Sequence, residues 1–136
     1  MKNINKISIA KKVIKEESIA LVKIANKIGH DFEKVCDIIL NCKGKVITIG
    51  LGKSGHVAQK ASATFSSTGT PSIFLHAAEA LHGDMGLVTK SDIVIFYSNS
   101  GETKELLSLL PLLKLLKIPL ITISGNKKSM IGKKSD

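Results

Sequence analysis

The chain has no tryptophan, no arginine, one tyrosine and four phenylalanines. So few aromatics leave no platform on which single-stranded bases could stack. Without arginine there is no planar fork to read guanine or to clamp a phosphate bidentately. All twenty basic residues are lysine, and with eleven acids the net charge is +9. Residues 1–45 hold ten lysines and five acids, residues 46–126 six and five, and the last ten residues four and one. The middle of the chain is therefore close to neutral. The lysines read as solvated helix faces, and no nucleic-acid partner is expected.

Other absences narrow the field further. No apolar run approaches the ~18 residues of a membrane span. The longest, Leu106 to Leu116, is broken by Ser108, Pro111 and Lys114. The lysine-rich N-terminus lacks a continuous apolar stretch and a small-residue cleavage site, so a cytoplasmic location with no membrane partner is expected. Cys36 and Cys42 lie in one predicted helix and its end, with no zinc-ligand spacing around them. They read as free thiols. At 136 residues, 43% of them hydrophobic, the chain has the size of one domain with a real core.

What is present is organised around Lys45 to Gly55, KVITIGLGKSG. Val46 to Ile49 form a β-branched run with strand propensity. Gly50, Gly52 and Gly55 follow at G-x-G-x-x-G spacing, and His56 to Phe65 reads as a helix with Val57, Ala58, Ala61 and Phe65 on one stripe. A strand, a glycine turn and a helix in that order make an anion site. The glycines admit a ligand close to the backbone, and the helix start offers free N–H groups and a positive dipole end. Three readings compete for it. A dinucleotide fold wants an acid roughly 20 positions on, but the second strand, Ser72 to Leu75, runs into His76, and Glu79 comes slightly too late. A Walker loop would need a glycine where Ile47 stands. A phosphosugar loop would use Lys53 and Ser54 as cation and hydroxyl.

Ahead of this turn, residues 7–28 carry apolar positions at helical spacing between lysines, with Gly29 as the stop. Asp31 can cap a second helix that ends near Gly44. Beyond the turn, two histidines and two acids stand among small residues in His76 to Asp84, at what should be the C-terminal mouth of a sheet. At least one of His76 and His82 is expected to touch substrate, and the spacing offers no metal pair on one helical face. Ile93 to Phe96 form a third strand, followed by Tyr97 and the turn Ser98-Asn99-Ser100-Gly101-Glu102-Thr103. Ser100 is a candidate N-cap and Glu102 suits a first helical turn, yet capping needs only one of these polar residues. Two helix starts at one sheet edge could hold one phosphate from both sides. Glu105 lies near that mouth, and Pro111 predicts a kink or break. Leu120 to Ile123 form a fourth strand, and Lys127 onward reads as the start of another helix. Strands alternating with helices predict a parallel sheet with right-handed crossovers, from which a fifth strand is missing.

The motifs GLGKSG at 50–55 and SNSGET at 98–103 resemble the SIS (sugar isomerase) phosphosugar-binding domain. Residues 66–89, SSTGTPSIFLHAAEALHGDMGLVT, are similar to its arabinose-5-phosphate isomerase branch, and the resemblance runs from about residue 40 to 136. It implies a flavodoxin-like three-layer α/β/α domain over 1–136, with N-terminal helices in 1–44 and the sheet in 45–136. It also implies interconversion of D-ribulose 5-phosphate and D-arabinose 5-phosphate without a cofactor, feeding 3-deoxy-manno-octulosonate and lipopolysaccharide synthesis. By motif position, Ser54, Ser98, Asn99, Ser100 and Thr103 would hold the phosphate; Gly52 of the glycine turn and His76 at the sheet mouth are further candidate substrate-binding residues. Lys53, His82 and Glu105 match active-site positions. Aldose–ketose isomerisation needs a base and an oxyanion stabiliser, roles suited to Glu105 and Lys53, with His82 as proton shuttle. Family members continue through the rest of the SIS domain and a pair of CBS domains, and a further catalytic glutamate and histidine would fall past Asp136. A non-catalytic phosphosugar-binding module is the alternative. A homo-oligomer, dimer or tetramer, is expected through the apolar N-terminal helices.

Overall fold

Four parallel strands, β1 (Val46–Gly50), β2 (Ser72–His76), β3 (Ile93–Tyr97) and β4 (Leu120–Ile123), form one sheet in the order β2-β1-β3-β4. Five α-helices accompany them: α1 (Lys6–Ala25), α2 (His30–Leu40), α3 (Gly52–Ser67), α4 (Ala77–Leu81) and α5 (Lys104–Leu116). Short 3-10 turns cover Asp84–Leu87 and Gly132–Lys134. These elements come from a computed structural model, which describes residues 5–136. The chain divides into two compact units, one reaching to Lys34 and the other Val35–Asp136.

In the first unit, Asn5 caps α1 by accepting the Ser8 N–H at 3.0 Å. The helix ends at Asn26, short of the expected stop at Gly29. None of its residues is buried. Ile7, Ile14 and Leu21, one heptad apart, are each about two-thirds exposed, at 69%, 67% and 67%. The second helix begins at His30, so Asp31 lies in its first turn and not at the cap.

The second unit is the three-layer α/β/α domain. Strand residues alternate between two faces. Ile47, Ile49, Val94 and Phe96 pack with α4 and α5 through Ala77, Ala80, Leu106, Leu109, Leu110 and Leu113. Val46, Ile93, Ile95 and Tyr97 face the other way, with Ala58, Ala61 and Phe65 of α3 and with Val35, Ile38 and Ile39 of α2. Buried Thr48 donates its hydroxyl to the Ala58 carbonyl at 2.9 Å, which seats α3 on β1. A strand order of 2-1-3-4 is the flavodoxin-like arrangement. Its direction reverses between β1 and β3, and ligands bind outside the carboxyl ends of strands at such a point.

Two expectations fail here for physical reasons. The helix α5 runs unbroken through Pro111, which stands on its exposed side, where one lost backbone hydrogen bond can be replaced by water. No helix starts at Lys127. Instead Asn126 Oδ1 accepts the Lys128 N–H at 3.0 Å and Ser129 Oγ accepts the Gly132 N–H at 3.1 Å. Such local side-chain bonds compete with helix, and here they accompany the full burial of Ser129 and Ile131. The chain then runs along β4, where Asp136 N–H donates to the Leu120 carbonyl at 2.9 Å and Leu120 N–H to Asp136 Oδ2 at 2.8 Å.

At the N-terminal edge of the sheet, Asp92 is 2% exposed and accepts from Lys45 Nζ at 2.8 Å, Lys45 N–H at 2.8 Å and Thr89 N–H at 2.7 Å. A Cβ on Gly44 would overlap Asp92 Oδ1, so this corner is closed around the carboxylate. Burial works to raise the Asp92 pKa, but the Lys45 ammonium and the N–H groups outweigh it and hold the carboxyl below its ordinary value. A depressed native pKa means stability that is present above about pH 4 and lost as pH falls through the native value. Asp92→Asn is expected to cost about 2–4 kcal/mol at pH 7 and to flatten the acid limb of the stability curve. Urea midpoints at pH 7 and below pH 4 check this; an unchanged midpoint at pH 7 would make the pair dispensable.

Candidate phosphosugar site

The carboxyl ends of all four strands lie level: Gly50 is in register with His76 on one side and Tyr97 on the other, and Tyr97 with Ile123. From Gly50 the chain enters α3 almost at once. Leu51 is its N-cap, extended and with no side-chain cap bond, and Gly52 at φ +55° turns the backbone into the helix. The helix therefore starts four residues before the expected His56, and Lys53 and Ser54 lie in its first turn. Close approach requires glycine here. A Cβ on Gly50 would come within 2.9 Å of the Gly55 nitrogen and the Ser54 carbonyl oxygen.

The end of β3 is built differently. Ser98 is buried at 3% exposure, and its Oγ accepts the Gly101 N–H at 3.0 Å and pairs with Thr103 Oγ1 at 2.8 Å. Gly101 takes φ +68°. The N-cap of α5 is Thr103, again without a side-chain cap bond. This corrects the expectation for Ser100, whose hydroxyl instead accepts the Glu102 N–H at 3.2 Å. It also moves Glu102 out of the helix, to where its Oε1 accepts the Met130 N–H at 2.8 Å.

Two helices thus begin at neighbouring strand ends, on opposite faces of the sheet, with their first N–H groups uncapped by side chains. That is the arrangement an anion needs, since free N–H groups and dipole ends both point at it. Beside the start of α3, over the ends of β3 and β4, opens a cleft of about 190 Å³ lined by Ser54, Val57, Tyr97, Ser98, Asn99, Ile123, Ser124 and Gly125. The Tyr97 phenol is neutral at ordinary pH, burial raises its pKa further, and it adds no charge against an anion.

Three of the expected binding residues, Ser54, Ser98 and Asn99, meet in this cleft. The Ser98 hydroxyl is at the same time engaged within the turn, by Gly101 N–H and Thr103 Oγ1. Half-buried Thr103 and exposed Ser100 stand in the same turn without lining the cleft. Lys53 is exposed, His76 closes β2 and is half-buried, His82 follows α4 and is exposed, and Glu105 is half-buried in the first turn of α5. None of these four lines the cleft. Sequence reading misses the third wall, Ile123 to Gly125, where Gly125 N–H donates to the Asn99 carbonyl at 3.0 Å. A signal for it exists: Ser124-Gly125 follows a strand as the other two glycine turns do.

The SIS domain model matches residues 39–136. The chain belongs to the SIS domain family. Arabinose 5-phosphate isomerase KdsD of Pseudomonas aeruginosa is 48% identical over 134 residues, 98% of this chain and 41% of its own length. The KdsD of Escherichia coli K12 is 47% identical over 126 residues, 93% of this chain and 38% of its own. The chain thus spans about two-fifths of the length of these curated relatives. Among solved structures, E. coli CFT073 c3406 in complex with arabinose 5-phosphate superposes with a TM-score of 0.93 at 42% identity, covering 100% of this chain and 72% of that one.

Inorganic phosphate should shift the amide resonances of Ser54, Gly55, Asn99 and Ser100 together. Ser54→Asp puts a carboxylate where the anion would sit, while an acid in a first helical turn is favourable to the fold. Affinity for phosphate is expected to fall at least about tenfold with stability within about 1 kcal/mol of the parent. Undiminished affinity would place the anion elsewhere.

Proposed function

We propose that this SIS domain chain serves an aldose–ketose isomerase that interconverts D-ribulose 5-phosphate and D-arabinose 5-phosphate. The observation that carries the reading is 48% identity to an arabinose 5-phosphate isomerase over 98% of the chain. The solved relative in complex with arabinose 5-phosphate supports it. So do two uncapped helix starts at neighbouring strand ends, one of them lining the cleft, which suit a phosphate monoester. The product would feed 3-deoxy-manno-octulosonate and lipopolysaccharide synthesis in the cytoplasm. Among the described residues no helix is long and apolar enough to cross a membrane.

In this reading the phosphate sits between the starts of α3 and α5, held by backbone N–H groups with Gly52, Ser54, Ser98, Asn99, Ser100 and Thr103. The reacting carbons C2 and C1 then lie three and four bonds from C5. Groups at the same strand edge but outside the phosphate cleft are suited to reach them. Glu105, in the first turn of α5, takes the proton from one carbon and returns it to the other through an enediolate. Lys53, in the first turn of α3, offsets the charge that develops on the oxygen. His82, after α4, exchanges protons with the sugar oxygens, and His76 at the end of β2 binds the sugar. The protein works as a homo-oligomer, with the exposed apolar heptad positions of α1 as the contact surface. A monomeric mass at micromolar concentration would refute that assembly.

The deciding experiment follows ribulose 5-phosphate in D2O by NMR with the 136-residue chain. Deuterium at C1 of the ketose or C2 of the aldose, with arabinose 5-phosphate appearing, is the expected outcome. Glu105→Gln should reduce turnover at least about a hundredfold; turnover within a few-fold of the parent would remove Glu105 from the base role. Perturbed phosphate resonances without exchange would instead support a phosphosugar-binding module.

A further inference from the structure

Glu102 is a carboxylate inside a turn that is otherwise built to receive an anion. Left free, its charge would oppose a phosphate a few residues away. It is not free. Its Oε1 accepts the Met130 N–H at 2.8 Å, across 28 residues of sequence. The contact belongs to a set that joins the same two segments. Gly101 carbonyl accepts the Ile131 N–H at 3.1 Å, and Asn99 carbonyl accepts the Gly125 N–H at 3.0 Å. The Gly101 Cα lies so close to Ser129 that a Cβ there would overlap its hydroxyl. Ser129 and Ile131 are 1% and 0% exposed, so the far side of the contact is anchored in the core.

We infer that Glu102 is a positioning residue: it clasps the segment 124–131 to the turn 98–103 and so fixes the N–H groups that receive the phosphate. The inference rests on the phosphosugar reading of that turn. The clasp consumes acceptors, not donors. Two carbonyls and one carboxylate of the turn are engaged by N–H groups of the 124–131 segment. An acceptor left pointing at the anion would cost affinity twice, by repulsion and by a lost donor. Only the carboxylate oxygen is needed for the clasp, since its partner is a neutral backbone N–H.

Two variants of the full chain separate this role from the others. Glu102→Ala removes the acceptor, and Glu102→Gln keeps an oxygen at the same reach while discarding the charge. With inorganic phosphate as probe, Glu102→Ala is expected to weaken binding about tenfold, the scale of one lost hydrogen bond. With ribulose 5-phosphate as substrate, KM should rise by a similar factor with kcat within about twofold, because Glu102 touches no reacting atom. Amide exchange at Met130 and Ile131 should accelerate at least about tenfold in the absence of any ligand. Glu102→Gln should restore all three readouts to within about threefold of the parent. If both variants bind phosphate as tightly as the parent or more so, Glu102 merely opposes the anion and the inference falls. Unchanged exchange at Met130 in Glu102→Ala also overturns it. A parent chain that binds neither probe would defeat the phosphosugar reading itself, while the exchange data would still show whether the clasp exists.

Discussion

The backbone contact between Gly50 and Gly55 sets the rest of the site. With no Cβ on either residue, the first turn of α3 can rest directly on the last residue of β1. That approach fixes how far the helix start stands from the strand end, and so how close an anion comes to its N–H groups. Thr48 holds the same helix one turn further on through the Ala58 carbonyl. Any side chain inserted between Gly50 and Gly55 would push against main chain and not against a flexible tip, so the helix would have to move. Backbone displacements of that kind are what make small-to-large changes costly in packed regions.

The second helix start is positioned by a different device. The approach to α5 is a five-residue turn, Asn99 to Thr103, which by itself would have many conformations. It is fixed internally by Ser98, whose hydroxyl bridges Gly101 and Thr103, and externally by the segment after β4. One half of the cleft thus depends on local close packing and the other on long-range hydrogen bonds. The first half should keep its geometry as long as α3 stays seated. The second can loosen without the sheet unfolding, because it depends on a few bonds between loops.

This difference also explains which features can be read from the sequence. The strands are legible because each is a β-branched apolar run bounded by turn residues, and their parallel order follows from alternation with helices. The strand ends and the glycine turn locate the cleft. What cannot be read are the consequences of contacts between distant residues. Ser100 has the right side chain in the right place for a cap. It loses that role because Gly101 must pack on Ser129, 28 residues on, and the turn is stretched to Thr103. Likewise Lys127 onward has helical composition, but burying Ser129 and Ile131 outweighs local propensity. The start of α3 escapes sequence reading because a glycine at positive φ usually marks a loop, whereas Gly52 makes an abrupt entry into the helix.

The charge distribution now has a consistent meaning. The chain has twenty lysines, yet the cleft is lined by hydroxyls, an amide, backbone and apolar groups. Its one titratable wall residue, Tyr97, is a neutral phenol whose ionisation burial disfavours further. An anion here would meet the N–H groups at the start of α3, a helix dipole end worth about 0.3–1 kcal/mol at an exposed site and up to ~2 when partly buried. Such donors cost little reorganisation, because the fold has already aimed them. A flexible ammonium in the cleft would bind any anion that reached it. Backbone N–H groups fixed at helix starts instead favour an oxyanion in one orientation, which would leave the carbon end of the ligand presented toward the groups outside the cleft. In the isomerase reading, that separation lets one end of the sugar be gripped while protons move at the other.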